Sequence, residues 1–230
     1  MLSLENVSTG YGRVRVVHDI SLHVPEGSLF AVMGNNGAGK TTLLRAVLGL
    51  RPAKKGKILF QGEDITKAKT FQRVRRGLAY VPQGQQAFGQ LSTRENLQLI
   101  ADQYGSAGHK RVNEALDLFP ALKDLLGRRA GLLSGGQRQQ LAIARALISG
   151  PKMIVLDEPT EGIQPSVVHE IEQAIAALVS SGLSVLMVEQ HVGFALGIAS
   201  DYLVMASGRA VSEGQGGAAA AESVRAAMAL

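Results

Sequence analysis

The chain contains no cysteine, which excludes a disulfide scaffold and any thiolate metal site and fits a reducing compartment. Aromatic residues are scarce at 4%, leaving too few rings for a base-stacking surface of the kind that binds single-stranded nucleic acid. Long apolar runs are missing too. Leu29–Met33, Met153–Leu156 and Val185–Val188 fall far short of the roughly 18 residues that span a bilayer, and read as buried strands. The opening MLSLENVSTG has neither a basic start nor an apolar run, so no secretory leader is expected. Acidic excess is absent as well: the formal net charge is +5. Much of the basic surplus lies between Arg51 and Arg76, in Lys54, Lys55, Lys57, Lys67, Lys69, Arg73 and Arg75. With only Phe60 and Phe71 in that stretch, nucleic acid is not the expected partner. The stretch reads first as a solvated basic face, and second as a face toward anionic lipid headgroups.

What is present is a chain of 230 residues, long enough to bury roughly 70–75% of its unfolded surface around one large domain. Strand signals dominate residues 1–32: an alternating LSLENVS, then Val14–Val17, Ile20–Val24 and Ser28–Met33, with Pro25-Glu26-Gly27 as a turn. Helical spacing is expected at Lys40–Leu50, Thr93–Gln103, Val112–Phe119, Gln137–Ser149, Ser166–Ser180 and His191–Ile198. Strands are expected at Lys57–Gln61, Gly77–Pro82, Lys152–Leu156, Ser184–Glu189 and Tyr202–Ala206. Strand and helix alternating in this way imply an α/β fold with a mainly parallel sheet. A helical insertion interrupts it, so one domain is expected: a core of about 1–84 and 151–230, and a helical subdomain of about 85–150. The tail beyond Gly214 has low complexity and ends as a short helix or frays.

Three segments carry chemistry. Gly34-Asn35-Asn36-Gly37-Ala38-Gly39-Lys40-Thr41 fits G-x-x-x-x-G-K-[ST] between a strand and a helix. Its glycines let backbone N–H groups surround phosphates, and the helix that follows presents its positive end to the same anion. Lys40 suits the outer phosphates and the Thr41 hydroxyl a magnesium ion. The run Met153-Ile154-Val155-Leu156-Asp157-Glu158 brings two carboxylates to the end of a buried strand. Asp157 suits the magnesium shell, and Glu158 suits a base that polarises the attacking water. Leu133-Ser134-Gly135-Gly136-Gln137 is a second glycine turn opening a helix, hence a second anion site. Ser134 as an N-cap explains the helix start but not the paired glycines or Gln137.

Together, LSGGQ, the phosphate loop and the Asp157–Glu158 strand resemble the nucleotide-binding subunits of ABC transporters, over nearly the whole chain. The resemblance implies a RecA-like phosphate-loop core with an N-terminal antiparallel β subdomain and a helical insertion subdomain. It implies Mg·ATP as ligand, with Thr42 completing the ATP-binding set. In the family an aromatic at the Tyr11 position stacks on adenine. A glutamine at the Gln83 position touches magnesium and water and reports to the membrane subunit. The family's usual switch histidine falls on Gln190 when Val188-Glu189-Gln190-His191 is aligned on the strand end. Gln190 is therefore the expected switch residue and His191 the second candidate.

The variant Glu161-Gly162-Ile163-Gln164-Pro165, with Val188-Glu189-Gln190, resembles importers of branched-chain amino acids, urea and short amides. TEGIQPS leans toward the urea type, and GNNGAGKTTLL equally toward the amino-acid type. An exporter subunit, or a soluble ATPase of the same superfamily, is the alternative. The resemblance further implies a second, related ATPase subunit whose LSGGQ faces this chain's ATP, two membrane-spanning permease subunits, and an external solute-binding protein. It implies a peripheral position on the cytoplasmic face of the inner membrane. A permease helix is expected to dock on Gln85–Gly105, with Phe88 and Leu91 as candidate contacts.

Overall fold

The computed structural model describes residues 1–229. In chain order its elements are β1 (Leu2–Tyr11), β2 (Val14–Val24), β3 (Leu29–Met33), α1 (Lys40–Val47), β4 (Lys55–Phe60), β5 (Glu63–Asp64), α2 (Thr70–Arg75), β6 (Leu78–Val81), α3 (Thr93–Ala101), α4 (Gly105–Leu118), α5 (Gly135–Ile148), β7 (Met153–Asp157), α6 (Pro165–Ser180), β8 (Ser184–Glu189), α7 (Val192–Ile198), β9 (Asp201–Ala206), β10 (Arg209–Gln215) and α8 (Ala221–Met228).

Two sheets form. A six-stranded sheet runs β10-β9-β3-β8-β7-β6, parallel except for β10 at its edge. An antiparallel sheet runs β2-β1-β4-β5. Every residue of β3, β7 and β8 is buried, as expected of central parallel strands covered on both faces. One apolar layer lies between the two sheets and encloses Leu43, Leu44 and Val47 of α1. The other joins the opposite face of the parallel sheet to α5, α6 and α7. It continues without a break into α3 and α4 through Leu97, Ala115 and Phe119. Among the described residues, no helix is long and apolar enough to cross a membrane.

Several elements depart from the sequence expectations. Val14–Val17 and Ile20–Val24 are one strand, bent where Asp19 takes φ +51°; the polar pair His18-Asp19 disguises its continuity. The helix expected at Val112–Phe119 begins at Gly105. α1 stops at Val47, three residues before the expected Leu50. β10 and α2 carry no usable periodicity: β10 is an edge strand with almost every residue exposed, and α2 is six residues long. The low-complexity tail forms α8 because Val224 has a buried seat, fully removed from solvent, in the second apolar layer.

Candidate functional site

The parallel order of the sheet sets the site. β3, β8, β7 and β6 are neighbours, so the segments leaving their C-terminal ends meet along one edge, where α/β folds bind ligands. β3 delivers the phosphate loop, β7 delivers Asp157 and Glu158, β8 delivers Glu189, Gln190 and His191, and β6 delivers Gln83.

Gly39 is the N-cap of α1 at φ +100°, a conformation costly for any residue with a Cβ, and no side chain caps the helix. The first-turn amides of α1 therefore lack the side-chain acceptor that usually satisfies one of them, and they face the loop. A cavity of about 340 Å³ opens there, lined by Asn36, Gly37, Ala38, Gly39, Lys40, Thr41, Thr42, Val16, Gln83 and Glu158. Lys40, only 4% exposed, donates to the carbonyls of Gly34 at 2.8 Å and Asn35 at 3.2 Å. Its Nζ also lies 3.1 Å from Glu158 Oε1. The Asn35 side chain points away and donates to the Met228 carbonyl at 2.6 Å, tying α8 to the loop.

Asp157 is 1% exposed. Thr41 Oγ1 donates to its Oδ1 and the Tyr80 hydroxyl to its Oδ2, each at 3.1 Å. Burial pushes the Asp157 carboxyl above the ordinary range, against the lowering effect of those two hydroxyls. Burial, followed by the charge of Asp157, pushes the Tyr80 phenol well above its usual value, so Tyr80 is a permanent donor. Gln83 Nε2 donates to Glu158 Oε2 at 3.0 Å and to Glu161 Oε2 at 2.7 Å. Gln85 continues the chain of contacts, donating to the Glu161 carbonyl at 3.1 Å. Its Oε1 meets Arg138 of α5 at 3.5 Å.

The donors suit a nucleoside triphosphate: backbone amides, a buried ammonium and two threonine hydroxyls. Among the described residues no cluster of three or more carboxylate or imidazole ligands exists. Thr41 and Asp157, 3.1 Å apart, are two oxygen ligands that would hold a magnesium ion whose other four positions go to phosphate oxygens and water.

Tyr11 ends β1. Arg51 lies 4.1 Å over its ring, and its hydroxyl accepts from Arg45 at 2.8 Å. A hydrogen bond with Thr42, then the hydrogen bond from Arg45 and the charges of Arg45 and Arg51, lower its phenol pKa. One face of the ring expected to stack on adenine is thus covered by a guanidinium. Gln190 and His191 are exposed and neither lines the phosphate cavity.

The signature turn also stands outside that cavity. Ser134 caps α5, accepting from the Gln137 amide at 3.2 Å, while the Gln137 side chain accepts from the Ser134 amide at 3.0 Å. This capping box accounts for Gln137, which the sequence reading left unexplained. Gly136 is required by packing, because a Cβ there would lie 2.5 Å from Val167. Tyr80, Gln85, Glu161 and Glu189 are polar partners to which the sequence assigns no role in the site. Tyr80 and Gln85 are legible only as neighbours of Gln83, and Glu189 only as the residue before Gln190.

The fold and site define a phosphate-loop cassette that carries a second, separate glycine turn at the start of α5. The ABC transporter family matches residues 17–161, and the chain belongs to that family. It is 38% identical over 223 residues to the high-affinity branched-chain amino acid transport ATP-binding protein BraG of Pseudomonas aeruginosa, covering 95% of this chain and 94% of that one. The probable branched-chain amino acid transport ATP-binding protein LivF of Archaeoglobus fulgidus is 36% identical, with 93% and 92% covered. The lipopolysaccharide export system ATP-binding protein LptB of Escherichia coli K12 is also 36% identical, with 93% and 90% covered. A nucleotide-free ATP-binding cassette from an ABC transporter superposes with TM-score 0.87 at 28% identity, covering 100% of this chain and 95% of that one. A dimeric cassette in a post-hydrolysis state with ADP and Pi superposes with TM-score 0.82 at 25% identity, covering 94% and 98%.

Proposed function

We propose that the chain is the ATP-hydrolysing subunit of an ABC importer for branched-chain amino acids, or for urea and short amides, bound peripherally at the cytoplasmic face of the inner membrane. One observation carries the chemical part: Lys40, Glu158, Gln83 and Glu161 form a single connected set at the phosphate cavity. The solute rests on likeness to the branched-chain relatives over nearly the full chain.

In this reading the loop amides and Lys40 hold the phosphates. A phosphate that takes Lys40 releases the carboxylate of Glu158, which then accepts a proton from water. The water oxygen bonds to the terminal phosphorus, the bond to ADP breaks, and ADP and phosphate leave. Magnesium, when bound beside Thr41 and Asp157, supplies charge neutralisation for the phosphates. Gln83 touches Glu158 directly, and Gln85 continues to α5, so events at the phosphates reach the signature helix through residues 83–85.

The signature turn does not line its own chain's phosphate cavity. That supports a site completed by a second ATPase subunit, and one solved relative, a bacterial ABC transporter cassette, is described as dimeric. Two permease subunits and an external solute-binding protein would complete the complex. Phe88 is exposed, with Arg145 4.6 Å over its ring, and Leu91 is half-buried. A better permease seat is the open cavity between α2 and the end of α3, where exposed Phe71, Val74 and Tyr104 stand beside Lys69 and Arg75. Its basic rim suits an acidic amphipathic permease segment.

The test is Glu158→Gln, purified from native membranes with ATP and analysed for co-purifying chains. ATP binding should persist while turnover falls about 10²–10⁴-fold, and two multi-spanning proteins with a related ATPase should appear. A lipopolysaccharide-export permease would shift the reading to export, and ribosomal or DNA-repair proteins would overturn transport.

A further inference from the structure

Glu189 ends β8 at 2% exposure, and no lysine, arginine or histidine pairs with it among the described residues. A buried carboxylate without a cation survives only if hydrogen bonds replace its water. Four do. Oε1 accepts from the Thr160 hydroxyl at 2.5 Å and the Thr160 amide at 3.2 Å. Oε2 accepts from the amides of Gln190 at 2.8 Å and His191 at 3.0 Å. One side chain thus joins the segment that follows Glu158 to the segment that opens α7.

Glu158 has φ +48°, a left-handed conformation that residues with a Cβ adopt only when their surroundings impose it. Two anchors impose it here. Its own amide donates to the Val188 carbonyl at 2.9 Å, and two residues later Thr160, 1% exposed, is fastened to Glu189. Val188 and Glu189 are consecutive, so both anchors lie on the last two residues of β8.

We propose that Glu189 is a positioning residue for hydrolysis. It holds Glu158 in its left-handed backbone conformation and fixes the backbone of Gln190 and His191, so that the base and the switch segment keep one mutual geometry. The inference rests on the ATPase reading above. It adds a residue that touches neither nucleotide nor metal in that reading and acts only through Thr160, Gln190 and His191.

Glu189→Gln keeps the shape but sets an NH₂ donor against amide or hydroxyl donors. Thr160→Val removes one hydroxyl, and Thr160→Ser keeps it. Each is made in the purified chain with the subunits that accompany it, and ADP affinity, KM and kcat are measured. Glu189→Gln should lower kcat about 10–100-fold, as small misplacement of a reacting group does, with ADP affinity and KM within about twofold. Thr160→Val should lower kcat about 3–10-fold, the scale of one lost hydrogen bond, and Thr160→Ser should restore it. The Val/Gln double variant should be no worse than Glu189→Gln alone. Unchanged kcat in Glu189→Gln, or equal losses in kcat and ADP affinity, would overturn the proposal. Should Glu189→Gln fail to fold, the Thr160 pair decides: a Val variant with full kcat, or a Ser variant that does not restore it, overturns it. A wild-type chain without ATPase activity would instead sink the reading beneath it.

Discussion

Asp157 sets stability against function within one residue. Its carboxyl is buried and its pKa is raised on folding, so the native chain favours the protonated form more than the unfolded chain does. The stability contribution is therefore present at low pH and is lost as pH rises through the folded value. Asp157→Asn removes the buried charge; its oxygen keeps one of the two hydroxyls, of Thr41 and Tyr80, as donor, and its NH₂ donates to the oxygen of the other. In metal-free buffer it should raise the melting temperature at pH 7–8 by about 2–4 °C, the shift that roughly 1 kcal/mol gives at this chain length. The gain should shrink toward the ordinary carboxylate value of 3.8. The same variant should lose the magnesium-dependent part of nucleotide binding. Calorimetric melting across pH checks the first outcome, and ADP titration with and without magnesium the second. A variant less stable than the wild type at pH 8 would contradict the burial argument.

Among the elements, α1 carries the phosphate loop, and its far end is finished by an unexpected residue. Arg73, counted in the sequence with a solvated basic face, is 2% exposed. Its guanidinium donates to the carbonyls of Ala46 at 2.8 Å, Val47 at 2.6 Å, Thr66 at 3.0 Å and Ala68 at 3.0 Å. A cation at the C-terminus of a helix is favoured by the dipole and satisfies its orphan carbonyls. Burial lowers the Arg73 pKa to about 10, and it remains charged at neutral pH. Arg73→Met should cost roughly 2–4 kcal/mol, because buried carbonyls lose their donors. Lys at this position should recover only part of that, lacking the planar fork. Urea denaturation measures both, and a Met variant within about 0.5 kcal/mol of wild type would remove Arg73 from this role. The other basic residues of the stretch, such as Lys54, Lys57 and Lys67, are exposed as expected.

At the scale of the whole molecule, the phosphate loop and the signature turn belong to separate surfaces of one chain. If the chain, purified alone, pairs with a second copy of itself in place of the related ATPase subunit, Lys40→Ala and Ser134→Arg each inactivate a different half of the shared site. Each variant alone should be nearly inactive. Mixed in equal amounts, random pairing puts half the chains in mixed dimers with one intact site of two, about a quarter of wild-type activity. Activity equal to the sum of the separate variants would rule out a site shared between two copies of this chain.

The glycine loop, the acidic strand end and the signature turn were legible in the sequence as local structure because each depends on a contiguous run. Glycines and a lysine at fixed spacing, an apolar strand ending in Asp157-Glu158, and a serine before two glycines are local requirements of backbone geometry and charge. The alternation of buried runs with helical spacing likewise disclosed a parallel α/β core, because periodicity follows from which faces are covered. What only the tertiary structure decided were pairings between distant segments: Tyr80 on Asp157, Gln83 on Glu158 and Glu161, Glu189 on Thr160, and Arg73 on the end of α1. A carboxylate or guanidinium looks alike in the sequence whether solvated or buried. The order in which strands sit side by side determines which of these groups lose their water and must find one another.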